Sequence, residues 1–270
     1  AVLATSGCSS QTLELWSRGG MPTPASDRAD HVLSLWQGAW IAALAVGAVV
    51  WGLIIWSVIA YRKRNEEIPV QTRYHMPIET LFTVVPFIMV AVLFFFTVRD
   101  QNAILKTDPD NPPDQVVNVI GQQWSWTFNY LGPDKDDPSD DVWETGTPEH
   151  LPTLYLPEDK LVGFELDSPD VIHSFFVPDF LFKMDVFPGK TNYFELTPTK
   201  RGTFAGKCAE LCGVYHARML FEVKVVSQEE FDAHLEELRR KGQTGVATGG
   251  QETRRQPGLE SDNGTSEESQ

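Results

Sequence analysis

Two long apolar runs dominate the first hundred residues. No charged side chain occurs from Val32 to Tyr61. Its core, Leu35–Ala60, exceeds the roughly 20 residues that span a bilayer as a helix. The second run, Leu81–Val98, is just long enough to return. Neither run has a polar face, which argues against a buried core helix of a soluble domain. Trp36 and Tyr61 suit the two membrane interfaces. Gly38, Gly47 and Gly52 favour close helix packing in lipid, and Pro86 is tolerated there. The pattern predicts a two-helix transmembrane hairpin over 35–98. Arg62-Lys63-Arg64 and Arg73 lie between the runs, so the positive-inside rule makes loop 61–77 cytoplasmic and puts both termini on the outer face.

After Arg99-Asp100 the period changes. Val116–Ile120, Trp124–Tyr130, Leu161–Asp167, Asn192–Leu196 and Met219–Val226 are short and rich in β-branched or aromatic residues, with Pro and Gly between them. In the last of these, Phe221, Val223 and Val225 alternate with Glu222 and Lys224, the mark of a one-sided strand. No helix-length segment interrupts the series, which favours an antiparallel sandwich or Greek-key barrel over a parallel sheet. Ser227-Gln-Glu-Glu230 is a capping box that opens a helix with Phe231, Leu235 and Leu238 on one face. Gly242 ends it. The organisation expected is an exposed N-terminal segment over 1–34, the hairpin, a β domain with its helix over 99–241, and a disordered polar tail over 242–270.

Composition narrows the function classes. The net charge of −15 argues against a nucleic-acid partner and for attraction to a basic one. The three cysteines cannot all pair with one another. Cys8 follows the small residues of Ala1-Val-Leu-Ala-Thr-Ser-Gly, where it reads either as a lipid-modified N-terminus of a bacterial lipoprotein or as a plain thiol.

The other two cysteines stand in Cys208-Ala-Glu-Leu-Cys212-Gly-Val-Tyr-His216-Ala-Arg-Met219. Thiolate and thioether stabilise Cu(I), and imidazole suits either copper oxidation state. A mononuclear blue-copper site needs one Cys, so the second thiol points to a binuclear copper centre with both sulfurs bridging. Each copper then needs a nitrogen. His216 supplies one, and the best candidate for the other is His173 in Asp170-Val-Ile-His173-Ser. His31, His75, His150 and His234 read as solvated surface residues. A Cys208–Cys212 disulfide and structural zinc are the competing readings, although zinc has no use for Met219.

This motif, the upstream Asp-Val-Ile-His-Ser and the helix hairpin together resemble subunit II of haem–copper cytochrome c oxidase over about residues 35–226. The resemblance implies a cupredoxin-like domain holding two copper ions bridged by Cys208 and Cys212. His173 and Met219 would complete one copper, and His216 and the main-chain carbonyl of Glu210 the other. It also implies a Mg²⁺ ion held by the Glu210 carboxylate at the boundary with subunit I. Trp124, in Gly121-Gln-Gln-Trp124-Ser-Trp126, would lie at the surface over the copper and receive electrons from cytochrome c. Glu79 would stand at the entrance to a proton path, where an acid at a helix N-terminus is also ordinary dipole stabilisation.

The implied partners are subunit I, carrying haem a and haem a3–CuB, subunit III, membrane lipid of the bacterial plasma membrane, and a cytochrome c. This chain has no haem-attachment Cys-x-x-Cys-His of its own. Gln122 replaces a His common in the family, and Asn129 replaces a common Glu. That loses an acidic docking residue, while the acid-rich stretch Asp134–Asp141 is an insertion. The lost acid casts doubt on docking a freely diffusing basic cytochrome, and the insertion reads as a solvated loop, or as a surface that steers a basic haem domain or contacts another complex; the donor expected is a cytochrome c, soluble or membrane-tethered, within a supercomplex. A membrane-anchored cupredoxin that stores or delivers copper is the reading from a different class; it needs a mononuclear or exchangeable site.

Overall fold

The computed structural model describes residues 10–133, 137–147 and 149–248. Cys8, part of the acid-rich insertion and the chain beyond 248 lie outside them. The described residues fall into two units.

The first unit holds three helices, α1 (Ser10–Ser17), α2 (Ala29–Ala60) and α3 (Met76–Ile104). α2 and α3 overrun their apolar cores at both ends or one, because polar residues continue the helix beyond the hydrocarbon-length stretch. Their apolar stretches are exposed on every side. Such surfaces call for lipid, where a helix satisfies its own backbone groups. The turn after α1 is pinned to α2, with Trp36 Nε1 donating to the Gly19 carbonyl at 3.0 Å. At the start of α3 the main-chain N–H of His75 donates to Glu79 Oε1 at 2.9 Å, so Glu79 caps its own helix. Asp100 is buried near the end of α3, 2.8 Å from Arg99 and 3.7 Å from His31. His31 keeps 43% of its side chain exposed, with Nδ1 facing the Asp100 carboxylate.

The second unit is a β-sandwich of two five-stranded sheets. One runs β3 (Val142–Thr145), β2 (Ser125–Leu131), β1 (Gln115–Gln122), β5 (Val162–Asp167), β8 (Asn192–Leu196). The other runs β4 (Thr153–Pro157), β10 (Leu220–Val226), β9 (Gly202–Cys208), β6 (His173–Val177), β7 (Phe182–Val186). Two pairings, β1 with β5 and β10 with β4, are parallel, so the sheets are mixed, not purely antiparallel. The core is aromatic. Phe175 stacks on Phe221 at 5.1 Å and Phe164 on Phe194 at 4.7 Å, and Trp126 meets Phe221 edge-on at 5.3 Å. The alternation in β10 buries Phe221, Val223 and Val225 as the sequence predicts. Gly206 lies under the Phe221 ring, which occupies the space a Cβ would need. Strands β3, β4, β6, β7 and β9 escape the sequence reading because they are short or interrupted by Gly, Lys and Asp.

α4 (Gln228–Arg240) starts at the expected capping box, with Glu230 N–H donating to Ser227 Oγ and Ser227 N–H to Glu230 Oε2. Its buried face includes Phe231 and Leu238. His234 is stacked on Tyr155 with ring centroids 3.7 Å apart and lies 3.5 Å from Glu144. The surface role expected for His234 is therefore corrected: α4 docks with this residue facing β3 and β4.

Both flanking segments also depart from expectation. Residues 22–30 belong to the sandwich and are not wholly exposed. Ala25 and Ser26 are buried, and Ser26 Oγ donates to the Phe180 carbonyl at 2.9 Å. After α4 the chain lies along β3: Trp143 N–H donates to the Gln243 carbonyl and Gly245 N–H to that of Asp141. Residues 243–247 are thus a docked strap, since unpaired backbone groups at a sheet edge take hydrogen bonds from any chain that reaches them.

Candidate metal centre

β6 and β9 are antiparallel neighbours, and Cys208 at the end of β9 faces Phe175 in register. His173 and Phe175 share a face of β6, because side chains alternate along a strand. This brings the imidazole beside the thiol. The chain then loops through 209–219 and returns as β10. Cys208 N–H donates to the Met219 carbonyl at 2.9 Å and closes the loop. A short turn at His216–Arg218 aims His216 and Met219 back inward.

Five of the expected ligands therefore converge, with one main-chain group. Cys208 Sγ and Cys212 Sγ are 3.8 Å apart, both thiols free. That separation is far beyond the ~2.05 Å of a disulfide bond. His173 Nδ1 lies 3.9 Å from Cys208 Sγ, and His216 Nδ1 lies 3.5 Å from Cys212 Sγ. Met219 Sδ is 3.7 Å from Cys212 Sγ, and the Glu210 carbonyl is 3.2 Å from Cys208 Sγ. The ligand atoms of His173, Cys208 and Cys212 all lie within 4.8 Å of one another. Cys208, Cys212, His173 and Met219 are buried. Glu210 is exposed. A cluster of two thiols, two imidazoles and a thioether is a copper donor set.

Asp170 organises the imidazole. Its Oδ1 is 2.8 Å from His173 Nε2, while its Oδ2 accepts the Gln123 N–H at 2.7 Å. Burial raises the Asp170 pKa, but hydrogen bonds from His173, Gln123 and Val171 outweigh it and hold the carboxyl below its ordinary value. Burial pushes His173 down, and the hydrogen bonds with Asp170 and Cys208 more than reverse that. The hydrogen bond from Cys212 lowers Cys208 against its burial, and the same bond, helped by burial, raises Cys212. The thiolate is the form that binds a soft metal.

The structure also shows hydrogen bonds the sequence reading did not assign. Gln123 Nε2 and Trp124 Nε1 both donate to the Cys212 carbonyl, at 2.6 and 3.2 Å. Trp126 Nε1 reaches the Met219 carbonyl at 3.4 Å. The β1–β2 hairpin of one sheet thereby clamps the ligand loop of the other. Trp124 itself is 1% exposed. This corrects its expected place at the surface. Tyr215 packs edge-on over it, with ring centroids 5.1 Å apart, and covers the indole.

A buried soft-metal ligand cluster at the end of a β-sandwich, in a chain with two lipid-length helices, defines a two-pass membrane protein whose β domain carries a donor set suited to copper. Sequence comparison agrees. The profile for the cytochrome C oxidase subunit II periplasmic domain matches residues 115–226, and that for its transmembrane domain matches residues 14–99. A probable cytochrome c oxidase subunit 2 of Streptomyces coelicolor is 50% identical, covering 92% of this chain and 87% of that one. Cytochrome c oxidase subunit 2 of Mycobacterium tuberculosis is 38% identical over 87% of this chain and 78% of its own. The chain belongs to the cytochrome c oxidase subunit II family, and is a subunit of an oxidoreductase of the haem–copper class. Among solved structures, the periplasmic domain of the Bradyrhizobium japonicum subunit II matches with 30% identity and a TM-score of 0.42, covering 48% of this chain and 97% of that one.

Proposed function

We propose that this chain takes single electrons from a cytochrome c and passes them to haem a of subunit I, where oxygen is reduced to water and protons are pumped. The observation that carries the reading is the paired arrangement of two thiols 3.8 Å apart, each with an imidazole Nδ1 within 3.9 Å. Two copper ions bridged by those thiols would supply a one-electron store whose bonds change little between oxidation states. His173 and Met219 would complete one ion, and His216 and the Glu210 carbonyl the other. The residues themselves do the rest: burial excludes water, and the clamp from Gln123, Trp124 and Asp170 keeps the loop rigid.

The Glu210 carboxylate, exposed beside the loop, suits a hard cation such as Mg²⁺ at a boundary with subunit I. Glu79 serves as helix cap and as the entrance to a proton path. The loop 61–77 is cytoplasmic, with the copper domain and both termini outside. Subunit III and a cytochrome c, tethered or soluble, complete the partners.

Copper analysis of the purified chain tests the central claim. Two copper ions per chain with a mixed-valence EPR signal are expected. One labile copper with no such signal would sink the reading in favour of a copper carrier.

A further inference from the structure

The sulfur cluster is closed on one flank and open on another. On the closed flank Gln123 and Trp124 donate to the Cys212 carbonyl at 2.6 and 3.2 Å, and the Tyr215 ring lies edge-on against Trp124. On the open flank a groove of about 440 Å³ runs over the sheet of β6, β7, β9 and β10. Cys208 and His216 line it, while His173, Cys212 and Met219 are buried and take no part in its walls. Ala209 and Ala217, each next in sequence to one of the two lining ligands, also face the groove, and a methyl group does little to cap it.

The floor of the groove is a register row. Lys183 on β7, Phe176 on β6, Lys207 on β9 and Leu220 on β10 stand side by side. They lie on the outer face of the sheet, because side chains alternate and Phe175 points into the core. Lys207 Nζ is 5.4 Å from the centre of the Phe176 ring. Both lysines are exposed, and neither has a carboxylate within salt-bridge distance among the described residues. In a chain of net charge −15, two unpaired ammonium groups beside two copper ligands make a local positive field. Such a field repels a free copper cation and draws in an anion.

Resting on the copper reading above, we propose that this groove is the port through which copper enters, with Cys208 and His216 as the first ligands to receive it. Lys183 and Lys207 select copper that arrives as an anionic Cu(I) complex over the free ion. Cys208 Sγ and His216 Nδ1 bond to Cu(I) as two bonds to the departing ligands break. The metal stays Cu(I), and the Cys208 proton leaves on the departing base. Cys212 Sγ, 3.8 Å from Cys208 Sγ and 3.5 Å from His216 Nδ1, then draws the ion into the buried shell. Thiolate and thioether donors favour that oxidation state.

The test loads the metal-free, detergent-solubilised full chain anaerobically from two sources: Cu(I) bicinchoninate, an anion, and Cu(I) acetonitrile, a cation. Loss of the bicinchoninate colour times the first, and growth of the ultraviolet thiolate–Cu(I) band times the second. The double variant Lys183→Glu with Lys207→Glu is expected to load about tenfold more slowly from the anion and about tenfold faster from the cation at low ionic strength. Both differences shrink in high salt, and Lys183→Arg with Lys207→Arg keeps the parent rates. Rates that move the same way with both sources, or do not move, overturn the proposal. If the glutamate pair does not fold, Lys183→Gln with Lys207→Gln gives the same crossover at smaller amplitude, and its absence overturns the proposal equally. The copper finally bound tests the underlying reading separately. Two ions, with a mixed-valence EPR signal after one-electron oxidation by ferricyanide, uphold electron transfer; one labile copper defeats it, whichever way the crossover falls.

Discussion

Asp170 Oδ1 lies 2.8 Å from His173 Nε2, and this contact fixes which ring nitrogen faces the sulfur cluster. With the proton held on Nε2, the Nδ1 lone pair points at Cys208. Asp170 also anchors the Gln123 N–H, so one carboxylate ties the imidazole to the hairpin that clamps Cys212.

Asp170→Asn is therefore expected to weaken copper binding by about 10–100-fold, the usual cost of losing a partner behind a metal ligand. Competition against a calibrated chelator measures it. Copper affinity within twofold of the parent protein would show that packing alone orients His173.

Gly121 gives a second handle on the same imidazole. A Cβ at this position would stand 3.2 Å from His173 Cβ and 3.1 Å from the Trp126 ring, tighter than ordinary contact on both sides. Neither neighbour is a free side-chain end, because both are buried. Gly121→Ala is expected to fold, to melt lower by roughly 1–3 kcal/mol of stability, and to shift the copper EPR parameters as His173 moves. An unaltered spectrum with an unaltered melting temperature would show that the strands can spread.

How much of this was legible beforehand depends on range. The ligand loop was readable because Cys208, Cys212, His216 and Met219 are close in sequence and chemically rare, and His173 followed from needing one more nitrogen. The two membrane-length helices were readable from length and apolarity alone, while α1, inside the segment read as exposed, was not. What the pattern could not carry is which distant residue lies over which. Trp124 looked exposed because its cover, Tyr215, is far along the chain and arrives only when the loop closes. His234 looked solvated because its stacking on Tyr155 depends on where α4 docks. Asp170 stood inside the motif, yet only the fold shows that it serves both His173 and Gln123.

Two phenols set an alkaline limit. Burial raises Tyr130 well above its ordinary pKa, with Glu144 adding to the effect. Burial raises Tyr193 as well, helped by its hydrogen bond to Glu195 at 2.7 Å. The folded state keeps these protons after the unfolded chain has lost them at about pH 10. Stability is then complete below that pH and declines as pH rises beyond it. Melting temperatures of the detergent-solubilised chain should fall between about pH 9 and pH 11, and less steeply in Tyr193→Phe. Parallel curves for the two proteins would remove Tyr193 from the account.

Asn129 supplies the last prediction. Its carboxamide is fully buried, donating from Nδ2 to the Ala247 carbonyl at 3.0 Å and accepting the Ala247 N–H at 2.9 Å. Nδ2 also donates to Asn118 Oδ1 at 3.1 Å. The residue that seemed a missing acidic contact for a cytochrome is in fact the lock for the strap 243–247. Asn129→Asp keeps the acceptor and loses the donor, leaving a carboxylate against two other acceptor oxygens. An unpaired buried group of this kind costs about 1–3 kcal/mol, or roughly 5–150-fold in the opening equilibrium. Hydrogen exchange at Gly245 and Ala247 is expected to accelerate by that factor while the core strands stay protected. Exchange unchanged at both amides would mean that Trp143 and Asp141 hold the strap without Asn129. If the strap does open, the new carboxylate gains solvent access only through that opening, so any tighter binding of a basic cytochrome by Asn129→Asp should rise in step with the exchange rate.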